Sequence, residues 1–374
     1  MKKICLFVNS ILLIMIFSGS SNSQPVRFFT GTYTEAGANG FFVFDLNRDE
    51  GTIKLVSESE AGPNPSYFCI SGKNGLIYAA NEVMKFNGTN AGGVTTLRYD
   101  NKTGAAKKIS QLAVPNGGPA YIAISPGDDF LFLANYSGGS VSVVKLDEKG
   151  IPASITDTII YKREGGKESH AHMISFDPSG KRVYVTDLGL DRIVIYNFDF
   201  VTGRLKQIQN GIVYLPKGSG PRHFTFSSDG SKMYVINELN STLTFFNVSA
   251  NGELQAVQTM STLREGFKGK SYCADIHIGK NGKYLYGSNR GENTIVTFRI
   301  GPDGKLNLAG HTSCGGDWPR NFVIDPSGKY ILVGNQNSGN ISLFTIDEKS
   351  GLPVDPPKDY KITSPVCLKF PDFK

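Results

Sequence analysis

Residues 221–238 read PRHFTFSSDGSKMYVINE, and the reading of this stretch decides the fold. Two short runs rich in aromatic and β-branched residues, PRHFTF and KMYVIN, flank a Ser-Asp-Gly sequence. Those three residues favour a tight reversal, so the stretch predicts two antiparallel strands joined by a turn. It also packs Arg222, His223 and Glu238 into one hairpin. Its outline recurs at 65–82 (PSYFCISGKNGLIYAANE), 119–136, 171–188 (AHMISFDPSGKRVYVTDL), 273–290 (CADIHIGKNGKYLYGSNR) and 319–336. Each copy runs from an apolar strand through a Gly or Asp turn to a second strand that ends on Asn or Asp. These end positions are Asn81, Asn135, Asp187, Asn237, Asn289 and Asn335, spaced 46 to 54 residues apart. A period near fifty built of strands is the signature of a propeller blade, because one such unit cannot bury its faces without neighbours.

A third strand follows each copy, for example STLTFFNV or NTIVTFRI, and a more variable stretch suited to an outer edge closes the unit. At the N-terminus RFFTGT (27–32) reads as a second strand and GFFVFDL (40–46) as a third, with no first strand before them. PVCLKF (365–370) can supply it, closing the ring and removing an open sheet edge. The chain is therefore expected to be all-β: a seven-bladed β-propeller whose N-terminal blade is completed by the C-terminal strand. No linker divides residues 24–374, which read as one domain. The composition agrees, with 43 glycines, 24 phenylalanines and 16 tyrosines in 374 residues, and no long stretch of helical periodicity competes.

Residues 1–23 read as a signal peptide. Lys2 and Lys3 precede a mostly apolar stretch from Ile4 to Phe17, followed by small polar residues. The apolar run is shorter than the roughly 20 residues of a membrane span. An exported protein, periplasmic or secreted, without stable membrane insertion is expected. Loss of the two leader lysines lowers the formal charge from +6 to +4, too mild and dispersed for nucleic-acid binding. Four cysteines remain (Cys69, Cys273, Cys314, Cys367), with no CxxC and no metal spacing, and they read as buried thiols.

The repeat sets a register. Twelve residues separate a position near the start of each first strand from a fixed position in the second, as Arg222 does from Tyr234. Ser66, Ala120, His172, Arg222, Ala274 and Arg320 occupy the first position. Antiparallel pairing sets the start of one strand beside the end of the next, so Glu82, Tyr136, Leu188, Glu238, Arg290 and Gln336 share that rim. The first strands of a propeller line its channel. One mouth should therefore collect His172, Arg222, Arg320, Glu238, Arg290 and Glu82. Guanidinium forks suit a carboxylate or phosphate, and a structural ion-pair network is the competing reading. His170 and His172, two apart, resemble half a metal site, yet no third ligand appears at a helpful spacing, so no metal is expected. On a regular strand His223 faces away from Arg222, which leaves it a secondary contact to ligand. Trp318, beside Pro319 and Arg320, suits either a ligand platform or blade packing. No GxSxG elbow, Walker loop or HExxH motif is present, and no cofactor is implied.

GPRHFTF with VINELNSTLTFF, CADIHIGKNGKYLYGSNRG, WPRNFVIDPSGKYILVGNQ and the opening FFTGTYTEAGANGFFVF together resemble the bacterial propeller-type 6-phosphogluconolactonase family, which is related to the fungal carboxy-cis,cis-muconate lactonizing enzymes. The resemblance spans nearly all of the chain after the leader. It implies metal-independent hydrolysis of a small anionic sugar-acid lactone by a carboxylic-ester hydrolase. It places the family's histidine, two arginines and glutamate at His172, Arg222, Arg290 and Glu238. His172 or Glu238 would be the general base. Arg320, His170, His223 and Glu82 are expected as substrate contacts. The export signal departs from a phosphogluconate lactone of cytosolic metabolism and implies another lactone. A lactonizing isomerase and a non-catalytic exported propeller binding an anionic ligand or a protein are the alternatives.

Overall fold

The computed structural model describes residues 24–371. It contains seven four-stranded antiparallel sheets, each a blade. In the blade of the decisive stretch, blade 5, Pro221–Phe226 lies innermost, followed outward by Lys232–Asn237, Thr242–Val248 and Leu254–Ser261. The turn between its first two strands uses Gly230 at φ 71°, a left-handed conformation that costs glycine least. The remaining inner strands are Pro65–Ile70, Pro119–Ile124, Ala171–Phe176, Tyr272–Ile278 and Pro319–Ile324 for blades 2, 3, 4, 6 and 7. Blade 1 joins the two ends of the chain, as expected. Pro365–Lys369 pairs antiparallel with Val26–Thr32, setting Thr30 opposite Leu368.

The repeated Asn or Asp is a clamp. Asn237 Nδ2 donates to Thr242 Oγ1 at 2.9 Å and Thr244 Oγ1 at 3.0 Å, and Asn289 Nδ2 donates to the Thr262 carbonyl at 2.7 Å. Asp187 accepts from Ser169 Oγ and the His170 amide, both at 2.9 Å. Each clamp ties the end of a second strand to its neighbouring strand or to the loop entering the blade, which fixes the height of the rim. The buried Nδ2 groups and the Asp187 carboxylate tolerate this position because they find such partners, while the Oδ1 atoms of Asn135, Asn237 and Asn335 are left unpaired among the described residues.

The second-strand tyrosines stitch one blade to the next. Tyr78, Tyr184, Tyr234 and Tyr286 bury their rings, and their hydroxyls donate to the carbonyls of Gly150, Gly252, Gly304 and Gly351 at 2.7–2.9 Å. Tyr330 closes the circle on the Arg48 carbonyl at 2.8 Å. Aromatic pairs such as Phe41–Phe68 and Phe29–Tyr99, both edge-on, seal blade 1 against blade 2.

Cys69, Cys273, Cys314 and Cys367 are buried free thiols. The leader read at residues 1–23 lies outside the described residues. Among the described residues, no helix is long and apolar enough to cross a membrane.

Candidate active site

The channel wall owes its side chains to a break in strand alternation. In every blade the ladder between inner and second strand slips by one residue near the rim. In blade 5 Pro221 faces Asn237 and His223 faces Ile236, with Arg222 as the extra residue. In blade 4 Ala171 faces Asp187 and Met173 faces Thr186, with His172 extra. Blade 6 sets Ala274 and Asp275 between Cys273–Asn289 and Ile276–Gly287. A bulge opposes two residues to one and re-aims both, so consecutive side chains turn into the channel. The amides it frees find side-chain partners: Met173 N donates to Thr186 Oγ1 at 3.2 Å and Asp275 N to Ser288 Oγ at 3.0 Å.

This corrects the orientation expected for His223. A regular strand would turn it away from Arg222. Instead the ring is buried in the channel, with Nε2 3.4 Å from Arg222 Nη1 and its centroid 5.1 Å from that of His172. Nδ1 lies 2.8 Å from Asp275 Oδ1, so both ring nitrogens are occupied and His223 supports the site from below. Beneath the charged layer, Tyr67 and Tyr121 stack with centroids 4.1 Å apart and meet the His223 ring edge-on. This aromatic layer forms the floor.

Above it the charged groups pair across blades. Glu238 Oε2 lies 2.9 Å from Arg222 Nε and 2.8 Å from Arg290 Nη2. Arg290 also donates to the Cys273 carbonyl at 3.0 Å, and its guanidinium sits 5.4 Å from the Trp318 ring centroid. Trp318 holds φ 67°, a left-handed backbone rare for a bulky residue. It packs by Tyr272 and Arg290, so it belongs to the rim. Arg320 Nη2 lies 3.5 Å from Glu82 Oε2, which also accepts from the Tyr33 hydroxyl at 2.9 Å. The Arg320 guanidinium lies 5.1 Å from the Tyr33 ring centroid. His170 stands outside this cluster: it precedes its strand, stacks on Tyr136 and brings Nδ1 to 3.0 Å from the Tyr136 carbonyl. It does not pair with His172 as half a metal site, and among the described residues no group of three or more candidate ligands is assembled.

The electrostatics follow from crowding cations in a buried place. Burial, then the charges of Arg290 and Arg320, lowers the Arg222 pKa to about 10 despite Glu238. Burial works to raise Glu238, but Arg290, Arg222 and Arg320 hold it below the usual carboxylate range. Burial and then Arg222 push His172 well below an ordinary histidine, so the ring is neutral at pH 7. The same two causes bring His223 to about 4, against the pull of Asp275. The Arg222, Arg290 and Arg320 guanidinium groups gathered here suit an anion or a developing oxyanion. Arg222 is 2% exposed and His172 4%, yet the Nδ1 of His172 is buried with no protein hydrogen-bond partner among the described residues. A surface cleft of about 560 Å³ beside Ala36, Gln336, Lys361 and Ser364 contains none of these groups.

The structure thus brings together His172, Arg222, Glu238 and Arg290, with Arg320 and Glu82 alongside. Sequence reasoning missed Tyr33 and Asp275. Tyr33 follows Thr32, which pairs with Pro365 as Asn237 pairs with Pro221, so it is the rim residue of blade 1. Asp275 stands in the same register as His223, and an acid between apolar residues in CADIHI was its available signal.

The chain is 28% identical over 349 residues to the 6-phosphogluconolactonase of Bacillus subtilis, covering 91% of this chain and 97% of that protein. It is 33% identical over 334 residues to the 6-phosphogluconolactonase of Formosa agariphila, covering 86% and 93%. The structure of the periplasmic gluconolactonase of Pseudomonas aeruginosa superposes with a TM-score of 0.87 at 30% identity, covering 92% of this chain and 99% of that one. Residues 27–370 match the family described as lactonase, 7-bladed beta-propeller, and the chain belongs to that family.

Proposed function

We propose that the chain hydrolyses a sugar-acid lactone at this mouth of the channel, without a metal. One observation carries the assignment of the base: the His172 ring lies at the mouth beside Arg222, is held neutral by burial and that charge, and is committed to no protein hydrogen bond through its Nδ1. A neutral imidazole accepts a proton from water as that water attacks the lactone carbonyl. Glu238 is less suited to this step, because two guanidinium ions stabilise its anion and so weaken it as a base. Its role is to hold Arg222 and Arg290 side by side. The attack moves the carbonyl electron pair onto oxygen, and the two guanidinium groups stabilise that oxyanion. Collapse breaks the ring C–O bond, and the proton taken by His172 passes to the departing ring oxygen. The product is an open hydroxy acid, whose new carboxylate the arginines also suit.

The leader-like N-terminus supports action outside the cytosol, with an unphosphorylated sugar-acid lactone as the natural substrate. The test is a pH-stat assay of purified protein on glucono-δ-lactone, its 6-phosphate and an unsaturated dicarboxylate. Turnover of the unphosphorylated lactone above the spontaneous rate is expected. Ring closure of the dicarboxylate alone would make the chain a lactonizing isomerase. Binding of sugar acids without turnover would make it a non-catalytic receptor.

A further inference from the structure

Asp275 is a buried carboxylate that the chemistry above leaves unused. It is 2% exposed and gathers five donors. Oδ2 accepts from Asn321 Nδ2, from the Phe322 amide at 3.3 Å and from His277 Nε2 at 3.0 Å. Oδ1 accepts from its neighbour's amide, Ile276 N, at 3.0 Å and from His223 Nδ1 at 2.8 Å. So many donors keep the carboxylate ionised. An ionised carboxylate only accepts, so it requires the hydrogen on His223 Nδ1 and leaves Nε2 with its lone pair. That lone pair faces Arg222 Nη1 at 3.4 Å, and the same Nη1 donates to the Ala274 carbonyl. Arg222, which only donates, therefore finds an acceptor beside it for one His223 tautomer and a repelling N–H for the other.

We propose that Asp275 and His223 form a positioning dyad, in which Asp275 sets the His223 tautomer and His223 seats the Arg222 guanidinium for the reaction. The inference rests on the reading of Arg222 as an oxyanion-binding group. The bulges of blades 5 and 6 bring Arg222, His223 and Asp275 into one hydrogen-bonded line.

Asp275→Asn is the sharp probe. With three donors on Oδ2, the asparagine keeps its oxygen there and turns its NH₂ toward His223. The ring then accepts at Nδ1, carries its hydrogen on Nε2, and sets a donor against the guanidinium. A misplaced catalytic group costs about 10²-fold in rate, so kcat/KM should fall by about that factor, mostly in kcat. In an Arg222→Ala background the same substitution should cost almost nothing further, since the group it seats is gone. A merely structural carboxylate would instead give losses that multiply. Nitrogen-15 NMR of histidine should show His223 as the Nδ1–H tautomer in the native protein, a measurement independent of activity and of any variant's folding. Native-level kcat/KM for Asp275→Asn, multiplying losses, or an Nε2–H tautomer in the native protein would each overturn the dyad. If Arg222→Ala itself leaves turnover intact, the reading of the mouth fails instead.

Discussion

Blades 2 and 3 and blades 4 to 6 carry the same bulge and different cargo. At the extra position blades 2 and 3 place Ser66 and Ala120, and at the next their two tyrosines stack. Blades 4 and 5 place His172 and Arg222 there, and blades 5 and 6 follow with His223 and Asp275. One backbone device thus builds a packed aromatic floor on one side of the channel and a hydrogen-bonded charged wall on the other. The bulge aims two side chains inward per blade, and the residue types alone decide between packing and chemistry. Activity should depend on the charged side, while the seams between blades should affect stability alone.

The largest expected effect is on the charged side. His172→Gln should lower kcat by about 10²–10⁴ through loss of general base catalysis, with the thermal midpoint at pH 8 nearly unchanged. Arg222→Ala follows, at about 10²–10³ in kcat for one lost oxyanion donor. Steady-state kinetics on the lactone checks both.

Acid should act on the same wall. Burial depresses both His172 and His223, the latter to about 4 from an ordinary 6.5. The unfolded chain therefore binds more protons than the folded one as pH drops below 6.5. Stability is fully present above that value and is lost as pH falls toward the folded pKa values. His223 alone accounts for about 3 kcal/mol between pH 6.5 and 4. Urea midpoints across that range should show the loss, and His223→Gln should flatten it.

The smallest effect belongs to the seams. Tyr234→Phe removes the donor to the Gly304 carbonyl and should cost about 1 kcal/mol by urea denaturation, with kcat/KM unchanged. A comparable loss of activity would mean that the seam, not the mouth, controls the chemistry.

The ring was legible in the sequence because its determinants are periodic. Turn glycines, clamp residues such as Asn237 and second-strand tyrosines recur at fixed intervals, and a blade without a first strand at one end implies a spare strand at the other. The convergence of His172, Arg222, Glu238 and Arg290 was also legible, since register sets height and antiparallel pairing sets adjacency. The inward turn of His223 was not. Alternation assumes a regular ladder, and a one-residue slip is a property of backbone pairing that no side chain near Arg222 announces. Tyr33 escaped for a different reason: the register was counted from inner strands, and the inner strand of its blade lies at the far end of the chain. The pairing of Arg320 with Glu82 spans blades 7 and 2 across Tyr33 of blade 1, an adjacency that exists only once the ring closes.

The central claim is that the charged mouth is where the substrate is transformed. A crystal structure with the product sugar acid bound tests it most directly. The carboxylate should lie within hydrogen-bonding reach of the Arg222 and Arg290 guanidinium groups, with a hydroxyl beside the His172 ring. A sugar acid seated at the opposite mouth, or bound with no contact to these three residues, would contradict it.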